Sequence, residues 1–373
     1  MEHPTRAVVM ACALAVLARF SPAQTPGYRL IGGLDGYTSG GVVALSQDGR
    51  IATGATSGVS IPTSGFVWSE ATGRYDLWPT EHLTGNSIPA AMSNDGTILT
   101  GNSSVNRAFV WSGPGTYQVL PVLPNHNRSS GRGVSGDGSI VVGESHLNMS
   151  SNGEAFRWTQ ATGMQGIGYT RPGHTYSEAN GISRDGNVIV GMSQDAGGRG
   201  DAFAWSAASG MRILPDLPNA MFGSAASGTN HDGSIVVGYS SLSTGLLTAV
   251  LWSGDIVQPL TAAPNVRSWA TDVNDDGRVV LGVLFTNTET FLAIWTPGPG
   301  WQFPADYFAA NGFPLPSGWI VTDVRALSGD GLTFGGSMRV AGLTQPFVLT
   351  IPAPATFPLV GALITLAARR RRA

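Results

Sequence analysis

The chain contains no lysine: all 21 of its basic residues are arginine. That removes P-loop chemistry and lysine Schiff bases from the functions open to it. Its one cysteine, Cys12, lies near the N-terminus, so the body of the chain has no disulfide, no cysteine metal site and no cysteine nucleophile. Charged residues make up 12% of the 373, against a usual quarter or so. The formal charge of −3 offers no general electrostatic footprint for nucleic acid. Beyond His3, the histidines His82, His126, His146, His174 and His231 are scattered without an H-x-x-x-H or H-x-H pair, so zinc has no support. No G-x-S-x-G elbow occurs. The one G-x-G-x-x-G match, Gly131 to Gly136, enters a turn with no helix behind it to present an N-terminus to a pyrophosphate. No cofactor is expected.

What the chain does have is glycine, 51 residues, and a repeat. Ser or Asn, any residue, Asp-Gly, four residues and Gly occur seven times, starting at Ser46, Ser93, Ser135, Ser183, Asn230, Asn274 and Ser328. The aspartates are Asp48, Asp95, Asp137, Asp185, Asp232, Asp276 and Asp330. Six copies close on a tryptophan (Trp68, Trp111, Trp158, Trp205, Trp252 and Trp295), and the seventh has Leu349 there. Each turn reads as a hairpin loop in which the Ser or Asn side chain bonds back to the backbone and glycine supplies a positive φ. The strand behind it is unbroken and β-branched, as in Ser139-Ile140-Val141-Val142, which implies burial on both faces. Ala-Phe-x-Trp marks a third strand and segments such as Arg212-Ile213-Leu214 a fourth.

Four strands per unit of roughly 45 residues predict an all-β, seven-bladed β-propeller with four-stranded blades. The last unit lacks a fourth strand, while Tyr28-Arg29-Leu30-Ile31 precedes the first as an orphan. Setting that segment on the last blade would close the ring and cover a sheet edge. Two residues before each Ser or Asn stand Ala44, Ala91, Gly133, Gly181, Gly228 and Ala326, small enough for a crowded axis, with Asp272 the exception. The units resemble the HAF-type extracellular repeat of bacterial exported proteins over residues 41 to 350, through the Asp-Gly motif and the Ala-Phe-x-Trp segments. The family's histidine is replaced by Arg107, Glu154 and Asp201, so any role it has does not carry over. The family is defined by repeat and export and implies no reaction.

Both ends read as addresses. Arg6, an apolar run from Ala7 to Ala18 and Ser21-Pro22-Ala23 predict a signal peptide over 1–23, cleaved after Ala23. The run falls well short of the roughly 20 residues that span a bilayer. The propeller is expected over 28–351 and a sorting or anchor segment over 352–373. That segment, with Pro352 and Pro354, an apolar stretch and Arg369, Arg370, Arg371 and Arg372, resembles the PEP-CTERM signal. The resemblance implies processing by an exosortase during export to the cell surface, although Ala353 stands where the signature has glutamate. The alternative is a plain C-terminal anchor held by positive-inside arginines. Without both ends, 15 basic residues face 23 acidic ones, which argues against anionic polymers as general electrostatic partners but not against neutral polysaccharide.

Candidate chemistry is sparse. Turn geometry already accounts for each Asp-Gly, and the spacing lacks the Asp-x-Asp-x-Asp cage of calcium loops; Asp272, Asp275 and Asp276 form the best local candidate for a metal. The repeat tryptophans are expected between blades, leaving Trp78, Trp269, Trp301 and Trp319 as candidate exposed aromatics. Arg132, Asp272 and Arg325 are the charges expected on innermost strands. Pro297 to Ser317, the longest departure from the repeat, is the expected functional loop. The function expected is an exported, surface-associated binding or extracellular-matrix module without defined catalysis. Its partners would be polysaccharide or cell-surface and matrix components, the export and sorting machinery, and transiently the membrane through the C-terminal segment, with no nucleic acid. The alternatives are an extracellular polysaccharide-acting enzyme using the channel and a purely structural coat protein.

Overall fold

The repeated turn is built the same way seven times. In the computed structural model, which describes residues 25–32, 36–59, 61–77, 87–147, 152–263, 265–286 and 288–353, Ser46 Oγ donates to Asp48 Oδ1 at 2.8 Å and accepts the Ile51 N–H at 2.9 Å. Ser93, Ser135, Ser183 and Ser328 do the same, and Asn230 and Asn274 accept the second bond on Oδ1. In every copy the aspartate Oδ1 also accepts the backbone N–H two residues on. The glycine between them lies at φ 70° to 77°, a left-handed conformation that costs any other residue strain. The signal segment with Ala23 and Cys12, Trp78, His82, Pro354 and Arg369 to Arg372 lie outside the described residues.

Each turn joins an innermost strand to a second strand, and these begin with Tyr37–Leu45 and Ile51–Gly58. The glycine that ends the motif is set by closeness: a Cβ at Gly143 would stand 1.8 Å from the Ser130 carbonyl oxygen, and one at Gly191 1.9 Å from that of Glu178. Facing this glycine the innermost strand bulges in all seven repeats, always at the following residue. A bulge leaves one residue outside the ladder and re-aims it. The residues so displaced are Val43, Ala90, Arg132, Asn180, Ser227, Thr271 and Arg325, and all seven line one central channel of about 220 Å³.

The strands are arranged as a β-propeller. Hydrogen bonding divides them into five four-stranded sheets and one sheet of eight, so the seven separate four-stranded sheets expected from the repeats do not appear as such. The eight-stranded sheet joins the strands of repeats three and four through one parallel pair, Gly153 with Tyr176. Like bridges, Ser64 with Ser87 and Gly200 with Gly223, link other neighbouring repeats without merging their sheets. The N-terminal strand Gly27–Leu30 lies antiparallel on Leu343–Thr350, Tyr28 opposite Leu349 and Leu30 opposite Phe347. The last sheet thereby gains its fourth strand from the other end of the chain.

Packing follows the repeat. Phe66, Phe109, Phe156 and Phe203 of the Ala-Phe and equivalent positions are fully buried, each contributing about 2–3 kcal/mol of transfer free energy. The closing tryptophans join the core clusters between neighbouring sheets. A buried serine of the next repeat ties four of the junctions: Ser129, Ser177, Ser224 and Ser268 accept the N–H of Ala108, Ala155, Ala202 and Ala249.

Part of the expected functional loop turns out to be core. Within Pro297 to Ser317 the helix Pro304–Ala310 buries Tyr307 and Phe308, whose rings meet Phe334 edge-on at 5.6 and 5.3 Å. A seven-residue helix does not hold by itself. It stays because its aromatics cover the last sheet, and the Pro, Gly and aromatic content that suggested a binding loop is what this packing requires. Trp301 and Trp319 are likewise engaged: Trp301 donates its indole N–H to the Leu260 carbonyl at 2.8 Å, and Trp319 packs edge-on against Tyr28 at 5.8 Å. Of the four candidate exposed aromatics, three lie among the described residues, and of these Trp269 is the exposed one.

Candidate functional site: the mouth of the channel

All seven innermost strands run the same way, so the channel has a turn end and a far mouth. At the turn end the second residues of the motif form a ring of hydrogen bonds. Backbone N–H to C=O bonds run from Gln47 to Asn94, Asn94 to Gly136 and Gly136 to Arg184, then from Asp185 to His231, and from Asp275 to Gly329 and Gly329 back to Gln47. The remaining gap is spanned by Asn230 Nδ2 on the Asp275 carbonyl at 3.1 Å.

Two side-chain bridges reinforce this ring. Arg184 Nη1 reaches Asn94 Oδ1 at 3.3 Å over Gly136, and Gln47 Nε2 donates to Asp275 over Gly329. Both glycines are there for room: a Cβ at Gly136 would stand 2.3 Å from Asn94 Nδ2, and one at Gly329 1.9 Å from Gln47 Nε2. Arg184 is the motif residue that lines the channel, in the field of Asp272 and Asp275. Burial lowers its pKa, and the two carboxylates counter that. Burial pushes Asp272 up to about 6, against the Val273 N–H and Arg184.

The candidate metal carboxylates therefore have separate occupations. Asp272 Oδ1 accepts the Val273 N–H at 2.8 Å, Asp275 holds Gln47, and Asp276 closes its turn on the Arg278 N–H. Among the described residues no group of three or more His, Cys, Asp or Glu is placed to hold a metal ion. The chain's local density of aspartate reflects a turn and a channel wall that happen to adjoin.

The far mouth differs in every repeat. Arg132 gives Nε and Nη2 to Glu144, with Nη2 also 3.1 Å from Glu178 Oε2, and the Tyr176 hydroxyl donates to the same oxygen at 2.9 Å. Burial works against the Arg132 cation, but Glu144 and Glu178 outweigh it and raise its pKa. Burial and Glu178 raise the Tyr176 phenol as well, keeping it protonated. In the next repeat Tyr239, raised by burial and by Glu178, stands edge-on to Trp269 at 5.1 Å. The Trp269 indole donates to Ser227 Oγ at 2.6 Å, yet the residue remains 36% exposed. Arg325, its side chain 65% exposed, is held by Asp323 two residues earlier. On the other side, repeats one and two offer only Val43 and Ala90.

Of the residues singled out from sequence, Arg132 and Arg325 thus come together at the far mouth, while Asp272 belongs to the turn end. Sequence reading missed Glu144, Glu178, Tyr176 and Tyr239. The small residues it had counted on the innermost strands do line the channel, and the residues that the bulge displaces, one position earlier, line it beside them.

No protein-family model matches the chain, and no curated protein matches it either. Among solved structures it is similar to an oligogalacturonate lyase from Vibrio parahaemolyticus at 11% identity, over 87% of this chain and 93% of that one, with TM-score 0.56. An oligogalacturonate lyase in complex with manganese is similar at 12% identity, over 88% and 93%, with TM-score 0.56. Prolyl endopeptidases are similar at 10% identity, over 85% of this chain and 51% of theirs, with TM-score 0.55. At such identities the likeness establishes the fold alone, and the chain is a β-propeller.

Proposed function

We propose that this protein is an exported, surface-associated propeller that binds extracellular polysaccharide or matrix components at the far mouth of its channel. The observation that carries the reading is Trp269, whose indole is fixed by Ser227 and Tyr239 and yet exposed beside fixed hydrogen-bonding groups. A rigid aromatic face next to polar side chains is the arrangement that stacks a sugar ring and reads its hydroxyls. Export rests on the N-terminal and C-terminal sequence patterns and on the resemblance to HAF repeats and PEP-CTERM signals, with sorting through Pro352, Pro354 and the terminal arginines. We further take the eight-stranded sheet as two blades, giving seven. In support, the bridge that joins them has counterparts between sheets that stay separate.

A second reading, an enzyme acting on extracellular polysaccharide, is favoured by the Arg132, Glu144, Glu178 and Tyr176 constellation, since titratable groups gathered at one mouth can do proton chemistry. One experiment separates the two. The purified protein is incubated with a panel of bacterial and algal polysaccharides, and both retained protein and released oligosaccharide are measured. Retention without release is expected; release of fragments would replace binding with catalysis, and neither would end both readings.

A further inference from the structure

We infer that the far mouth takes the uncharged end of a neutral glycan and turns away polyuronates and other anionic glycans; the inference rests on the glycan-binding reading above. An arginine at a channel mouth ordinarily attracts carboxylates, so the engagement of each arginine decides. Arg132 is committed on both edges, to Glu144 and to Glu178. Arg325 gives its Nε to Asp323 and is otherwise exposed. Within these two bonded clusters two guanidinium groups meet three carboxylates, so the groups held there carry an excess of negative charge.

An incoming uronate would have to displace Glu178 from Arg132 or share Arg325 with Asp323, and in either case would lie beside a carboxylate. Like charges brought together in this way are how a site rejects a ligand. Arg128 stands at the start of its strand, four residues before the bulge, about 13 Å along an extended chain. Salt screens most of that distance, the Debye length being about 8 Å at physiological ionic strength. Arg267 lies nearer, two residues before Trp269 on the same strand, but is turned over the Phe285 ring at 5.9 Å.

What remains free suits an uncharged sugar. Trp269 supplies the apolar face. Glu178 and Asp323 accept hydroxyl protons, and Asn180, Ser227 and Thr271 continue the polar wall into the channel. At about 220 Å³ the channel falls below the roughly 300 Å³ at which pockets that enclose a drug-sized ligand begin. It admits a chain end while the rest of the glycan stays outside.

The test compares two sets of oligosaccharides matched in length, neutral gluco- and galacto-oligosaccharides and oligogalacturonates, titrated calorimetrically into the full protein at physiological salt. Neutral chains are expected to bind at least tenfold more tightly. Trp269→Ala should weaken neutral binding at least tenfold, and Trp269→Phe, which keeps an aromatic face, should lose less. The double variant Glu178→Gln with Asp323→Asn, which releases both arginines, should gain at least tenfold for oligogalacturonates. Equal affinity of the unaltered protein for the two sets, or an unchanged ratio in the double variant, would overturn the selectivity. Binding to no glycan of either set would overturn the glycan-binding reading beneath it.

Discussion

The two ends of the channel are made by the same seven strands and differ in what holds their side chains. At the turn end every repeat uses the same atoms: a buried Ser or Asn, an aspartate oxygen and a glycine at positive φ, joined to the next repeat by a ring of hydrogen bonds. Those carboxylates are spent on backbone N–H groups and have little left for a ligand. At the far mouth the bulge delivers one side chain per repeat to the channel without dictating which, and the chain fills the positions with arginine, asparagine, serine, threonine, valine and alanine. Uniformity marks what the fold needs; variation on a fixed frame marks where a ligand can be chosen.

Substitutions at the two ends should therefore separate stability from binding. The largest effect is expected for Gly143→Ala, whose Cβ would stand 1.8 Å from the Ser130 carbonyl oxygen. The strands must part to admit it, at about 3 kcal/mol or more, whereas Thr271→Ala in the channel wall should stay within about 0.5 kcal/mol; urea denaturation of both variants measures the contrast. Ser183→Ala should cost about 1–2 kcal/mol, because the partly buried Val188 N–H loses its acceptor and Asp185 loses a donor.

A pH effect is expected at the turn end. Asp272 has a folded pKa of about 6, above its ordinary value of 3.8, so between these values the folded state binds more protons than the unfolded one. Stability then falls as pH rises from about 4 to about 6 and stays lower above that, by an amount on the order of 1 kcal/mol. Asp272→Asn, which keeps an acceptor for the Val273 N–H, should flatten this limb of the melting profile and raise the melting temperature at pH 7. A steeper limb in the variant would contradict the assignment. A small stability change is expected at the mouth as well. Trp269→Ala removes a residue that is 36% exposed and should cost under about 1 kcal/mol by calorimetry while abolishing retention on glycan.

The turn end was legible in the sequence and the mouth was not, for a physical reason. Ser135, Asp137 and Gly138 are fixed by local backbone geometry, which recurs wherever the same tetrapeptide recurs, and the pairing of Tyr28 with Leu349 followed from a unit that lacked a strand. The contacts of Arg132 depend on which neighbour brings Glu178 within reach, 46 residues along the chain. No repeat pattern encodes that. The stretch from Pro297 to Ser317 was legible only in part for a related reason: aromatic residues outside the register signal burial as readily as binding, and Tyr307 and Phe308 went into the core. The joining of repeats three and four into one sheet rests on a single pair of residues, Gly153 and Tyr176, a contact too local for periodicity to anticipate.

Hydrogen exchange of the protein with and without a bound neutral glycan tests most directly which end of the channel is functional. Protection is expected around Tyr176 to Asn180, Ala225 to Ser227, Trp269 to Thr271 and Asp323 to Arg325, with the seven turns unchanged. Protection centred on the turns, from Gln47 to Arg50 and their equivalents, would contradict the assignment of the far mouth as the binding site.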